Sequence, residues 1–179
     1  MDIEKLKFPI GKYTPVSNPN KAQLQQWINN IALFPSEVDN LIRDIAPEKL
    51  SWRYRPQGWM VKQVIHHCAD SHMNSLIRFK LALTEDAPII RPYYEDRWAE
   101  LEDSKTDAIE ESVMLLHGLH SKWTRLLKSL TTEQLEMVFI HPENGDEMKL
   151  VDNIGMYSWH CNHHLAHMKN ALQSNGQYT

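Results

Sequence analysis

Residues 60–83, MVKQVIHHCADSHMNSLIRFKLAL, decide how this chain reads. Val61, Val64, Ile65, Cys68, Ala69, Met73, Leu76, Ile77 and Leu81 recur at three- and four-residue intervals, and no glycine or proline interrupts them. That is the period of an amphipathic helix. Downstream, residues 152–173 carry Ile154, Met156, Tyr157, Trp159, Leu165, Met168 and Leu172 in a second such pattern. Upstream, Asn20 reads as an N-cap to a helix over 21–45, with Leu24, Trp27, Ile28, Ile31, Leu33 and Phe34 on its apolar face. Pro35 lacks a backbone donor, so it either kinks this helix or lets Ser36 start a new turn. A further helix spans 105–129, with Ile109, Val113, Leu115, Leu116, Leu119, Trp123, Leu126 and Leu127.

Between these helices lie weaker patterns. Residues 46–58 hold two prolines and a glycine and read as a loop with one helical turn. Residues 85–99 (EDAPIIRPYYEDRWA) lack periodicity, and so long a connection is more often functional than decorative. Val138–Ile140 and Met148–Val151 flank PENGDE, whose Asn144-Gly145 signals a small β-hairpin between the third and fourth helices. Four helices without βαβ alternation predict an all-α four-helix bundle. Residues 1–19, with three prolines and a glycine, read as an extended N-terminal arm on one domain covering 1–179.

Composition bounds the function. The 179 residues carry 19 Lys plus Arg against 23 Asp plus Glu, a net charge of −4. No basic field argues for nucleic acid. No apolar run approaches the roughly 18 residues that cross a membrane. The N-terminus MDIEKLKFPIGKYTP has no apolar signal core. Two distant cysteines, Cys68 and Cys161, read as free buried thiols in a reducing compartment, so a cytoplasmic protein is expected.

The unusual count is histidine: ten, against six glycines. Seven fall in two windows, His66, His67 and His72 in one helix and His160, His163, His164 and His167 in another. Residues four apart share a helix face, so the second window offers two pairs, His160/His164 and His163/His167. His66 and His67 lie about 100° apart and cannot both face one point. Spacing leaves the choice among them open. Three neutral imidazoles from two helices would make an open divalent-metal site, whereas four ligands would close it. The residue after His160 is Cys161, so the H-E-x-x-H pattern of zinc peptidases is absent. His72, His117, His120 and His141 read as ordinary hydrogen-bonded residues, with His72 and His66 nearer the polar boundary. Asp70 could orient a ligand or accept a proton. Trp59 and Trp98 could wall a pocket. Arg53, Arg55 and Arg78 could bind an anionic substrate, with solvated charge the default.

Certain runs carry a family resemblance. RPQGW (55–59) leads into QVIHHCADSHMN (63–74) and IRFKLALTED (77–86). RPY (91–93), Trp98 and the Leu119 to Trp123 stretch follow, and YSWHCNHHLAHM (157–168) closes the pattern. From the FPIGKY arm (8–13) onward the chain resembles the YfiT group of metal-dependent hydrolases within the DinB-like superfamily. The resemblance implies a four-helix bundle of unusual connectivity and a homodimer. It also implies one divalent ion per chain, zinc or alternatively nickel, held by His67, His160 and His164. His163 and His167 then become pocket or structural residues, with His163 and Asp70 as catalytic candidates. The implied activity is hydrolysis of a small molecule by metal-activated water. The alternative is a bacillithiol transferase-like reaction, in which the metal activates a low-molecular-weight thiol as co-substrate. A non-catalytic metal-binding module would need a fourth ligand, from His163, Asp70 or Cys161.

Overall fold

A computed structural model describes residues 2–143 and 145–179. The four long helices are present, and their ends follow local chemistry. The arm is not extended throughout. Asp2 caps a short helix α1 (Ile3–Lys7), its carboxylate accepting from the amides of Glu4 and Lys5. Asn20 caps α2 (Lys21–Ile42) through its side-chain oxygen and the Gln23 amide. Pro35 does not divide α2, and Ser36 starts no new helix: Pro35 lies buried inside one continuous helix. A 3₁₀ turn (Pro47–Ser51) then leads to α3 (Val61–Ala82).

The long connection folds into two single turns, α4 (Glu95–Trp98) and α5 (Glu102–Lys105). It is held at both ends of its run. Gln63 on α3 donates to the Ala99 carbonyl at 2.8 Å, and the Ile90 amide donates to the Ile140 carbonyl at 3.0 Å. The third long helix, α6 (Glu110–Ser129), starts later than the expected 105, because Glu102–Lys105 forms its own turn. After α7 (Thr132–Leu135) comes the hairpin, β1 (Val138–His141) against β2 (Asp146–Lys149), with Phe139 opposite Met148. Asn144 of its expected turn lies outside the described residues; Gly145 has φ +71°, which favours glycine. The chain passes from β2 directly into α8 (Leu150–Gln173), so residues 150 and 151 belong to the helix and not the strand.

The bundle has unusual pairing. Helix α2 packs on α8 and α6, and α3 packs on α6 and α8, so consecutive α2 and α3 lie across the bundle diagonal. One core joins them, including Trp27, Phe34, Phe79, Trp123, Phe139 and Ile154. Each such side chain contributes roughly 1.5–3 kcal/mol by leaving water. At Gly155 a Cβ would meet the Trp27 ring at 3.1 Å, so glycine permits α2 and α8 to approach closely. Among the described residues, no helix is long and apolar enough to cross a membrane.

Candidate metal centre

Adjacent helices α3 and α8 bring together His67, His160 and His164, whose ligand atoms all lie within 4.8 Å of one another. His67 Nε2 and His160 Nε2 stand 3.3 Å apart. Two nitrogens at 2.0–2.1 Å from a tetrahedral zinc would be separated by about 3.3 Å. Burial pushes the His67 imidazole down to about 4, with the neighbouring His163 adding to the effect. It holds His160 and His164 well below the usual histidine range, chiefly by desolvation and then by the other imidazoles. All three are therefore neutral near pH 7, the form that binds a metal. The donor set fits a divalent ion.

Hydrogen bonds behind these rings select their tautomers. Pro35 has no N–H, so the Ile31 carbonyl one turn earlier lacks its helical donor. That carbonyl instead accepts from His120 Nδ1 at 2.6 Å. A neutral imidazole has one donor and one acceptor, so His120 Nε2 must accept, and it does so from His72 Nδ1 at 2.8 Å. His72 Nε2 then accepts from His160 Nδ1 at 3.0 Å, which leaves the His160 Nε2 lone pair free to bind. This relay passes through all four long helices. A shorter one supports His164. The Lys7 carbonyl accepts from His167 Nε2 at 3.0 Å, and His167 Nδ1 faces His164 Nδ1 at 3.4 Å. The arm thus belongs to the site.

In front of the rings lies a cavity of about 540 Å³, lined by Tyr54, Arg55, Trp59, Ser71, Arg78 and Tyr93 among others. Trp59 stands on the cavity wall with its ring 4.7 Å from His67. Trp98 does not line the cavity; it packs 4.8 Å behind Tyr93, which does. His163 lines it, stacked 4.3 Å on Trp159, and its buried Nδ1 has no hydrogen-bond partner. Burial lowers His163 to about 4.

Several expectations need correction. Asp70 does not face the triad; it lines a separate cavity with His66 and Asp103, where burial and then Asp103 raise its carboxyl to about 6. His66, which cannot face the same point as His67, stands apart from the triad, its ring bonding Ser112 Oγ at 2.8 Å and the Thr106 carbonyl at 3.2 Å. His72 is not near the polar boundary but fully buried at 0% exposure, and the hydrogen-bonded His120 lies in the core beside it at 1%. The signal was present: Val61, Ile65, Cys68, His72, Ser75 and Phe79 form one three-four stripe, and every member is buried. On α6, Leu116, His120, Trp123 and Leu127 form another. Arg53 does not line the metal-side cavity, whereas Arg55 and Arg78 do.

The DinB superfamily profile matches residues 31–168. The chain belongs to the DinB superfamily. Within it, "Putative metal-dependent hydrolase YfiT" of Bacillus subtilis (strain 168) is 45% identical over 168 residues, covering 94% of each chain. A protein of the same description in Bacillus mycoides (strain KBAB4) is 46% identical, covering 93% of this chain and 95% of its own. The crystal structure of B. subtilis YfiT, described as "a probable metal-dependent hydrolase with an unusual four-helix bundle topology", superposes with a TM-score of 0.92 at 43% identity, covering 96% of this chain and 98% of that one. A mycothiol-dependent maleylpyruvate isomerase shares the DinB fold alone, at 13% identity and a TM-score of 0.63, with 81% of this chain and 60% of that one covered.

Proposed function

We propose that the protein is a metal-dependent hydrolase of a small-molecule substrate, with one divalent ion, zinc, bound by His67, His160 and His164. The carrying observation is the convergence of three neutral imidazoles at one cavity with no fourth protein ligand among the described residues. Cys161 points into the core, fully buried, and Asp70 lines another cavity, so neither closes the site. When bound, the ion supplies Lewis-acid activation of a water or a thiol. The chain's own part is positional. The two relays occupy the Nδ1 atoms of His160 and His164 and so leave their Nε2 lone pairs free, and Trp59 shields His67 from bulk water. His163, neutral above about pH 4 and on the cavity wall, is the group placed to accept a proton.

A second reading, transfer of a low-molecular-weight thiol to an electrophile, has one observation in its favour. The cavity's carboxylates, Glu95 and Glu143, are exposed at its edge, so no buried carboxylate lines it among the described residues. A thiolate needs no general base during attack.

Metal analysis tests the centre: wild type is expected to retain one divalent ion per chain, and a His160→Ala/His164→Ala variant none. Equal metal content would overturn it. Incubating the loaded protein with an ester and an electrophilic reporter, with and without a small thiol, separates the chemistries. Thiol-independent ester turnover supports hydrolysis, and strict thiol dependence supports transfer.

A further inference from the structure

The polar atoms that face the cavity differ in whether the protein satisfies them. Arg78 on α3 is 9% exposed, its Nε is buried without a hydrogen-bond partner, and among the described residues it forms no salt bridge. Buried charges are ordinarily paired, and an unsatisfied buried donor calls for a ligand. Arg55, which also lines the cavity, likewise has a buried Nε without a partner, but it is half-buried and its charge is better supported: its Nη1 donates to the Pro56 carbonyl at 3.0 Å, and its guanidinium sits 5.4 Å from the Tyr54 ring. The cavity carboxylates Glu95 and Glu143 are exposed, and Glu143 lies 3.9 Å from His141. None of them neutralises Arg78.

Helix geometry places this cation relative to the triad. Ser71 and Arg78 follow His67 by four and eleven residues, about 40° and 20° away in direction, so the three share one face of α3. About 16 Å of axial rise separates the Cα atoms of His67 and Arg78; both side chains lean back toward the N-terminus, and the longer Arg78 reaches further, which shortens the gap. All three line the same cavity. The Ser71 hydroxyl between them lies 3.2 Å from the Tyr157 hydroxyl, which donates to the Ser71 carbonyl at 3.1 Å.

We infer that Arg78 anchors an oxyanion of the substrate, a carboxylate or phosphate held by its guanidinium fork, while the reacting bond lies at the histidine triad. A guanidinium matches either group through two parallel N–H donors. This selects an elongated substrate with its negative group at one end and its scissile or electrophilic group at the other. The inference rests on the functional reading of the cavity given above, and it deepens that reading by naming the substrate class.

The test uses the full chain, metal-free and zinc-loaded, with acetate and inorganic phosphate as separate probes and chloride at matched ionic strength as the control. Phosphate is added only to metal-free protein. Saturable stabilisation by acetate or phosphate, absent with chloride, is expected in wild type. The oxyanion that saturates at lower concentration identifies the preferred group. Arg78→Met should weaken binding at least tenfold while retaining one zinc per chain and the wild-type circular dichroism spectrum. Arg78→Lys should recover part of it. In unmodified protein, the Arg78 Nε–H resonance should move with the same midpoint as the stabilisation, so the test does not depend on a variant folding. A saturable shift elsewhere with Arg78 unmoved, undiminished binding in Arg78→Met, or no oxyanion binding at all would overturn the inference. The His160→Ala/His164→Ala variant separates the two readings. Loss of zinc with oxyanion binding intact leaves Arg78 assigned, and zinc binding without oxyanion binding removes only the Arg78 assignment.

Discussion

Behind the triad, away from the cavity, successive imidazoles are joined: Ile31 carbonyl to His120 at 2.6 Å, His120 to His72 at 2.8 Å, His72 to His160 at 3.0 Å. In front of it, Arg55 Nε, Arg78 Nε and His163 Nδ1 are buried without a partner. Both regions are polar and both are enclosed, so burial alone does not separate them. Satisfaction does. A closed network with every donor and acceptor used orders its members in one arrangement. Unused polar atoms on a cavity wall, a guanidinium donor and an imidazole nitrogen, are left for something that enters. The back of this site is built to hold the rings still, and the front is built to be completed.

The largest test of this contrast is pH. Burial, with His117 adding and the bond to the Ile31 carbonyl opposing, lowers His120 from 6.5 to about 4. The unfolded chain therefore binds this proton between pH 6.5 and 4 while the folded chain does not, and stability must fall as pH drops through that window. One such group contributes about 3 kcal/mol of loss. Equilibrium unfolding of metal-free protein at pH 7 and pH 4.5 should show this slope, and His120→Phe should reduce it by one proton's share, the other buried histidines supplying the rest. An unchanged slope would mean the relay does not carry a neutral imidazole.

Breaking the middle of the relay comes next. His72→Phe keeps the ring volume and removes the acceptor for His160 Nδ1, so zinc affinity should fall by about 10- to 100-fold by calorimetry. His163→Ala, on the unsatisfied side, should leave zinc affinity within about threefold of wild type, because no relay hydrogen bond passes through it. If the two variants behaved alike, the contrast between the two sides would fail.

The smallest effect belongs to Pro35. Pro35→Ala supplies an amide that competes for the Ile31 carbonyl. The oxygen has two lone pairs, so the anchor loosens without vanishing. Zinc binding should weaken by about 1 kcal/mol, while the thermal midpoint holds or rises because alanine suits a helix interior. A midpoint that fell with zinc affinity unchanged would place the role of Pro35 in packing instead.

Much of the fold was legible from periodicity, because a helix repeats every 3.6 residues whatever surrounds it. The hairpin was readable from its turn signal. The start of α6 and the helical turn at Ile3–Lys7 were not, since short turns depend on single caps and local contacts. At the site, the spacing of His160/His164 equalled that of His163/His167, and only family resemblance preferred the first pair. Asp70 was misplaced because three residues along a helix turn the side chain about 300°, and a close position in sequence does not guarantee a shared cavity. His72 and His120 read as ordinary hydrogen-bonded residues, and they are hydrogen-bonded, but spacing along one helix did not show that they bond each other, although each sits in a three-four stripe whose members are all buried.

By itself, the sequence determined four amphipathic helices, two histidine-rich windows, a net charge that argues against nucleic acid, and the absence of an H-E-x-x-H motif, because these depend only on residue order and helical period. Tertiary structure decided which histidines meet, which tautomers they hold, and where a charge is left without a partner. Those are relations between helices. Helix α2's proline frees a carbonyl that α6 uses, α6 supports α3, and α3 supports the imidazole on α8. Pairing across the bundle is set by which faces pack together, and no local spacing along one helix encodes it.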